Sequence, residues 1–238
     1  MERIKTLSLL SGILGFIVVA LGAWTRLADA GLGCPDWPGC YGFVTIPVSP
    51  EEIDIANSKF PETPYEVAKA IPEVVHRYFA AALGFFIVCI AYLSIRSKDV
   101  PASVRNLSLF LLAWVIIQGT FGYWTVSLKL WPQVVTTHLM SGFLTTALLW
   151  LLYFKTKDLI GNRTRWNFNR STKKLFNVSM VLVAIQIFLG AWTSTNYASY
   201  SCTDFPLCQG EVLPEVNFKE GFNFFQSRRS TRSRTIYL

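Results

Sequence analysis

Five apolar stretches, residues 7–24, 74–95, 107–126, 134–154 and 175–195, constrain this chain more than any other feature. Each is long enough to cross ~30 Å of hydrocarbon at ~1.5 Å of helix per residue. None carries Lys, Asp or Glu in its middle. Lipid offers no water to a peptide group, so a segment of this kind must satisfy its own N–H and C=O groups, and a helix does so. Only 16% of the residues are charged, against about 25% in soluble domains. The expected fold class is all-α integral membrane.

The net charge of +7 raises the question of a nucleic-acid partner, and its placement answers it. Arg3 and Lys5 precede the first span, Arg96, Lys98 and Arg105 fill the second connection, and the fourth carries seven basic residues against Asp158. The first connection instead holds Asp29, Asp36, Glu51, Glu52, Asp54, Glu62, Glu66 and Glu73. Basic loops stay cytoplasmic. The reading is an N-terminus inside, the loops after spans one, three and five outside, and no nucleic acid. Met1 to Lys5 together with Ala28-Asp29-Ala30 resembles a signal peptide, but the apolar run exceeds the usual ~7–15 residues. Its end also recurs inside the chain, so it is read as a span.

That recurrence is an internal repeat. Gly22, Ala23, Trp24 and Thr25 return as Gly190, Ala191, Trp192 and Thr193, 168 positions later. At the same offset Cys34, Asp36, Pro38, Cys40 and Gly42 return as Cys202, Asp204, Pro206, Cys208 and Gly210. Spans one and five run in the same direction, so the duplication is parallel. One unit is then four spans, and span five opens a second. A shorter echo relates Gln118, Gly122 and Thr125 to Gln186, Gly190 and Thr193; small residues at such spacing let helices approach, and packing is the favoured reading of these Gly and Thr positions. The repeat is incomplete, because the counterpart of His76 would be position 244 of a chain of 238. With the arginine-rich end, residues 227–238, this gives the expectation of a truncated or frame-shifted C-terminus.

The four repeated cysteines fall in the expected outer loops, where paired thiols oxidise. Cys34 with Cys40, and Cys202 with Cys208, each close a short Pro-containing segment. A disulfide that shapes the loop as a lid is favoured over thiol exchange, and a metal clip is weaker for want of nearby ligands. Cys89, inside span two, reads as a small buried apolar residue.

Both histidines sit just inside the outer ends of spans that run the same way, His76 on the second and His138 on the fourth. Ionisable groups within spans are costly and usually functional. Two imidazoles at matched depth on parallel helices can ligate a haem iron, as bundle cores commonly do. Glu73, at i−3 from His76, can orient the imidazole, pair with Arg77, or move protons. Arg77 is a candidate contact for a haem propionate; the plainer reading is an interfacial Glu/Arg pair.

Together, Gly22 to Arg26, the Cys34–Cys40 box, the Glu73-Val-Val-His76-Arg77-Tyr78 run, the Gln118 to Thr125 stretch, the His138 segment and the second Gly-Ala-Trp-Thr and cysteine box resemble haem A synthase over residues 7–226. The resemblance implies eight spans in two pseudo-symmetric four-helix bundles, each with a histidine pair and a cysteine pair. It implies oxidation of the C8 methyl of haem O to a formyl group, giving haem A for terminal oxidases. His76 and His138 match the N-terminal iron ligands, Glu73 the acidic residue needed for activity, and Cys34–Cys40 and Cys202–Cys208 the two disulfides. The second histidine pair, for a haem b that passes electrons, has no counterpart here, which leaves the activity of this chain open.

The expected architecture is a four-helix transmembrane bundle, substrate-haem type, over residues 1–157. A basic cytoplasmic loop follows at 158–174, then the first helix and outer Cys loop of an incomplete second bundle at 175–226, then a basic tail at 227–238. Expected partners are haem O, membrane lipid, haem O synthase, the cytochrome oxidase assembly machinery and a second copy of the chain, in the cytoplasmic membrane. The alternative reading is a non-enzymatic haem carrier of oxidase assembly. A transporter on parallel repeats is weaker, since no span is broken or carries a mid-bilayer charge.

Overall fold

The computed structural model describes residues 1–161, 168–198, 204, 207, 208 and 210–212. They form six helices: α1 (Glu2–Leu27), α2 (Pro50–Lys59), α3 (Val67–Arg96), α4 (Ala102–Ser127), α5 (Pro132–Ile160) and α6 (Arg170–Thr195). All but α2 are long and apolar enough to cross a membrane, so the chain is a multi-pass, all-α integral membrane protein. Each spanning helix begins before the apolar run that announced it, and four also end beyond it. A helix of 26 to 30 residues is about 39–45 Å long, so its ends reach past the hydrocarbon, where charges such as Arg3, Lys155 and Lys157 are tolerated.

The short helix α2 was not expected from the sequence. Its start is nonetheless written there: Ser49 accepts from the Glu52 N–H, Glu52 accepts from the Ser49 N–H, and Pro50 occupies the first turn. This is a capping box with Pro where its missing N–H costs nothing. Backbone bonds to Val48 and Ser49 hold the Glu52 carboxyl below its ordinary range.

The chain forms two compact units. One contains residues 1–129 and 141–161. In it α1 packs on α3 and α3 on α4. The part of α5 in this unit reaches α1 where Gly12 faces Trp150 and Gly15 faces Thr146, and reaches α4 where Trp114 Nε1 donates to the Ser141 carbonyl at 3.3 Å. Ile4, Ile87, Ile90, Leu111, Leu149 and Leu152 form the core of these four helices. Lipid tails are as apolar as leucine, so close packing and interhelical hydrogen bonds must hold such a bundle. Ser94 Oγ to Ser108 Oγ, 2.9 Å and fully buried, is one such bond, worth about 0.6 kcal/mol. Ser141 also donates to Gln118, which joins α4 to α5 and accounts for the Gln in the Gln118 to Thr125 echo.

The other unit contains residues 130–140 and the described residues from 168 onward. Asn169 caps α6 by accepting the Thr172 N–H at 2.8 Å. The Thr136 and Thr195 hydroxyls, 3.3 Å apart and buried, tie the first turns of α5 to the end of α6.

Candidate functional site

The site of the first unit is built where α1 ends and α3 begins. Thr25, the last residue of the repeated Gly-Ala-Trp-Thr, places its hydroxyl 2.9 Å from the Leu21 carbonyl and 3.1 Å from that of Pro72. The chain then runs across the start of α3. At Gly33 a Cβ would stand 2.3 Å from the Lys69 carbonyl oxygen, so only glycine permits this approach.

The cysteine box follows. Cys34 and Cys40 are joined by a disulfide with their Cα atoms 4.8 Å apart, and both are 0% exposed. Cys40 and Phe43 exchange backbone hydrogen bonds. The Asp36 carboxylate closes the turn by accepting the Tyr41 N–H at 2.6 Å and the Gly42 N–H at 2.7 Å, with Gly42 at φ +84°. The same device recurs at the repeat offset. Cys208 and Glu211 exchange backbone bonds, and Asp204 accepts the Gly210 N–H at 2.8 Å, with Gly210 at φ +82°. The sequence repeat is therefore a repeated loop structure as well. Cys208 is disulfide-bonded; Cys202, its expected partner, lies outside the described residues, as does the tail.

Three residues of α3 meet this box or the end of α1. Glu73 is 4% exposed; one carboxylate oxygen accepts the Cys34 N–H at 2.9 Å and the other pairs with Arg77 Nη2 at 2.5 Å. Arg77 Nη1 donates to the carbonyls of Asp36 at 3.0 Å and Gly39 at 2.6 Å. Through these bonds the guanidinium clamps the box to α3. His76 turns toward α1, its Nδ1 3.1 Å from the Val18 carbonyl. Of the three roles open to Glu73, pairing with Arg77 is observed.

The rim is aromatic. Tyr41 is buried edge-on against Phe60 and Tyr65, and donates to the Pro64 carbonyl at 3.2 Å. Burial first, and then the charges of Glu66 and Glu73, push its phenol above the ordinary range. Tyr78 donates to the Val44 carbonyl at 2.9 Å. Asp36, Tyr41 and the Val18 carbonyl were not singled out from the sequence; the Asp repeated inside both boxes was the available signal for the first.

His138 belongs to the second unit, half-buried in the first turns of α5 beside the buried Thr136. Cys89 is a free, half-buried thiol on α3. Among the described residues no three His, Cys, Asp or Glu side chains gather as a metal cage.

Residues 5–231 match the family described as cytochrome oxidase assembly protein. The chain is 41% identical over 214 residues to the Heme A synthase of Shewanella oneidensis, covering 89% of itself and 63% of that relative. It is 26% identical to the Heme A synthase of a Wolbachia of Brugia malayi, with 94% of the chain and 72% of the relative aligned. With that of Symbiobacterium thermophilum it shares 26%, over 94% and 70%. The chain thus spans under two thirds of the length of the Shewanella protein. No solved structure matches. This chain belongs to the cytochrome oxidase assembly protein family.

Proposed function

We propose that the chain is a haem A synthase, an oxidoreductase that converts the C8 methyl of haem O to the formyl group of haem A. The observation that carries the reading is the Glu73, His76 and Arg77 cluster beneath a buried disulfide box, in a chain 41% identical to a protein named Heme A synthase. A carbonyl can only accept, so the neutral imidazole facing Val18 is protonated at Nδ1 and keeps the Nε2 lone pair for iron. That donor chemistry suits a porphyrin iron. His76 and His138 are the proposed ligands of the haem O iron, which supplies the redox chemistry when bound.

The remaining roles belong to the chain. Glu73, nearly sealed from solvent, is the residue that would hold or accept a proton at its carboxylate. Arg77 and the Cys34 N–H keep that carboxylate in place. The Cys34–Cys40 loop lies against it through the Cys34 N–H, with both cysteines fully buried, which supports a structural disulfide rather than an exchanging one. Cys202–Cys208 is the proposed second disulfide. A haem b in a second bundle is the electron-passing cofactor that the family reading implies.

The charge pattern supports a cytoplasmic membrane location with the N-terminus inside and both cysteine boxes outside. Haem O then comes from haem O synthase, and haem A passes to the oxidase assembly machinery. Lipid surrounds the spans, and a second copy of the chain is a further partner. The test is expression in a host that makes haem O and cannot convert it, followed by haem extraction. Haem A is expected, reduced in Glu73→Gln with bound haem retained; bound but unmodified haem O contradicts the enzyme and favours a carrier.

A further inference from the structure

The repeated Gly-Ala-Trp-Thr opens with Gly22, whose role the reaction has not used. A helical side chain covers the turn N-terminal to its own Cα, so a side chain at position 22 would lie over the turn that carries the Val18 carbonyl. That oxygen has two lone pairs. One serves the helix, and the other faces His76 Nδ1 at 3.1 Å. A Cβ at position 22 would stand 3.1 Å from the imidazole Cε1 and 3.5 Å from Nδ1. The first distance is below ordinary van der Waals contact, so the ring would have to move and the bond to Val18 would stretch.

We infer that Gly22 is a positioning residue for His76: a notch in α1 that seats the imidazole and bares the Val18 carbonyl, fixing the ring as its Nδ1–H tautomer with Nε2 free to bind iron. The glycine of the second copy supplies an internal control. A Cβ at Gly190 meets nothing within 4 Å, so Gly190→Ala serves as the control substitution at the matching position. The inference rests on the ligand role proposed for His76 only in its haem-binding consequence.

The test uses the full chain in lipid nanodiscs, titrated with ferric haem. Outer-shell partners of a ligating His typically contribute 10- to 100-fold in affinity. Gly22→Ala is expected to weaken binding by about that factor, Gly190→Ala to leave it unchanged, and His76→Ala to remove the His76 contribution altogether. The haem-free protein with ¹⁵N-labelled histidine gives an independent reading, with the His76 signal assigned by its loss in His76→Ala. The Nδ1–H tautomer is expected in the wild type and its loss in Gly22→Ala. Wild-type affinity in Gly22→Ala, or an Nε2–H tautomer in the wild type, overturns the inference. If His76→Ala binds haem as the wild type does, the ligand reading fails instead, while the tautomer spectrum still judges the notch.

Discussion

Replacing Arg77 by Gln tests whether the cysteine box is held to α3 by the ion pair. The substitution leaves the Glu73 carboxylate, whose side chain is 6% exposed, with only backbone N–H donors, those of Cys34 and Gly33. It also removes two charge-assisted bonds to the carbonyls of Asp36 and Gly39. Removing one partner of a buried pair costs about 3–5 kcal/mol. The Arg77 side chain is 15% exposed and the loop carbonyls can rehydrate, so the lower end, about 3 kcal/mol, applies. Cys34 and Cys40 are fully buried, so a thiol reductant reaches them only when the box opens. Where opening is fast relative to attack, the rate follows the open population. At about 1.4 kcal/mol per tenfold, the reduction should accelerate by about two orders of magnitude. The assay is timed reduction, alkylation and mass spectrometry, following the peptides of Cys34 and Cys40. The double variant Glu73→Gln/Arg77→Gln should recover part of the loss, because no buried charge is then left alone. Reduction of Arg77→Gln at the wild-type rate would refute the clamp.

Two glycines of α3's surroundings should respond oppositely to alanine. Gly33→Ala forces a Cβ against the Lys69 carbonyl and should destabilise by about 1–3 kcal/mol, whereas Gly84→Ala, in open space within a helix, should stabilise by about 0.5–1 kcal/mol. Thermal melts in detergent compare them. The capping box of α2 gives a pH dependence. Its Glu52 carboxyl is lowered in the folded chain, so its contribution is present above the ordinary value of 4.5 and is lost as the pH falls through the lower folded value. Hydrogen exchange over residues 49–60, corrected for intrinsic rate, should show α2 loosening on acidification and no such pH step in Glu52→Gln. Ser108→Ala should cost about 0.6 kcal/mol, with the loss absent when Ser94 is already Ala.

The spans were legible because their signal is local: a run of apolar residues needs no knowledge of neighbours. Their true ends were not, since hydropathy reports the hydrocarbon boundary and the helices continue past it. The loop helix α2 escaped because its apolar content is low, although Ser49, Pro50 and Glu52 spelled its cap. Candidate residues were picked out by type and spacing, which sufficed for the Cys34–Cys40 pair and marked out Glu73 and His76 as proposals. Their partners were not visible in the same way. Cys34 lies 39 residues from Glu73, Gly39 lies 38 from Arg77, and Val18 lies 58 from His76. Each of these contacts goes to a backbone group, which every residue possesses and no motif advertises. Arg77 was read by its charge, as a contact for a propionate or a partner for Glu73, and the carbonyls of the box that it also reaches carried no such signal.

The proposed pair of histidine ligands is tested most directly on the purified chain loaded with haem. Electron paramagnetic resonance of the ferric form, taken beside visible absorption, should give a low-spin signal of two imidazoles in the wild type. His76→Ala and His138→Ala should each abolish it, and Glu73→Gln should leave it in place. A wild-type chain without haem-dependent absorption, or a low-spin signal indifferent to either histidine, would contradict the account.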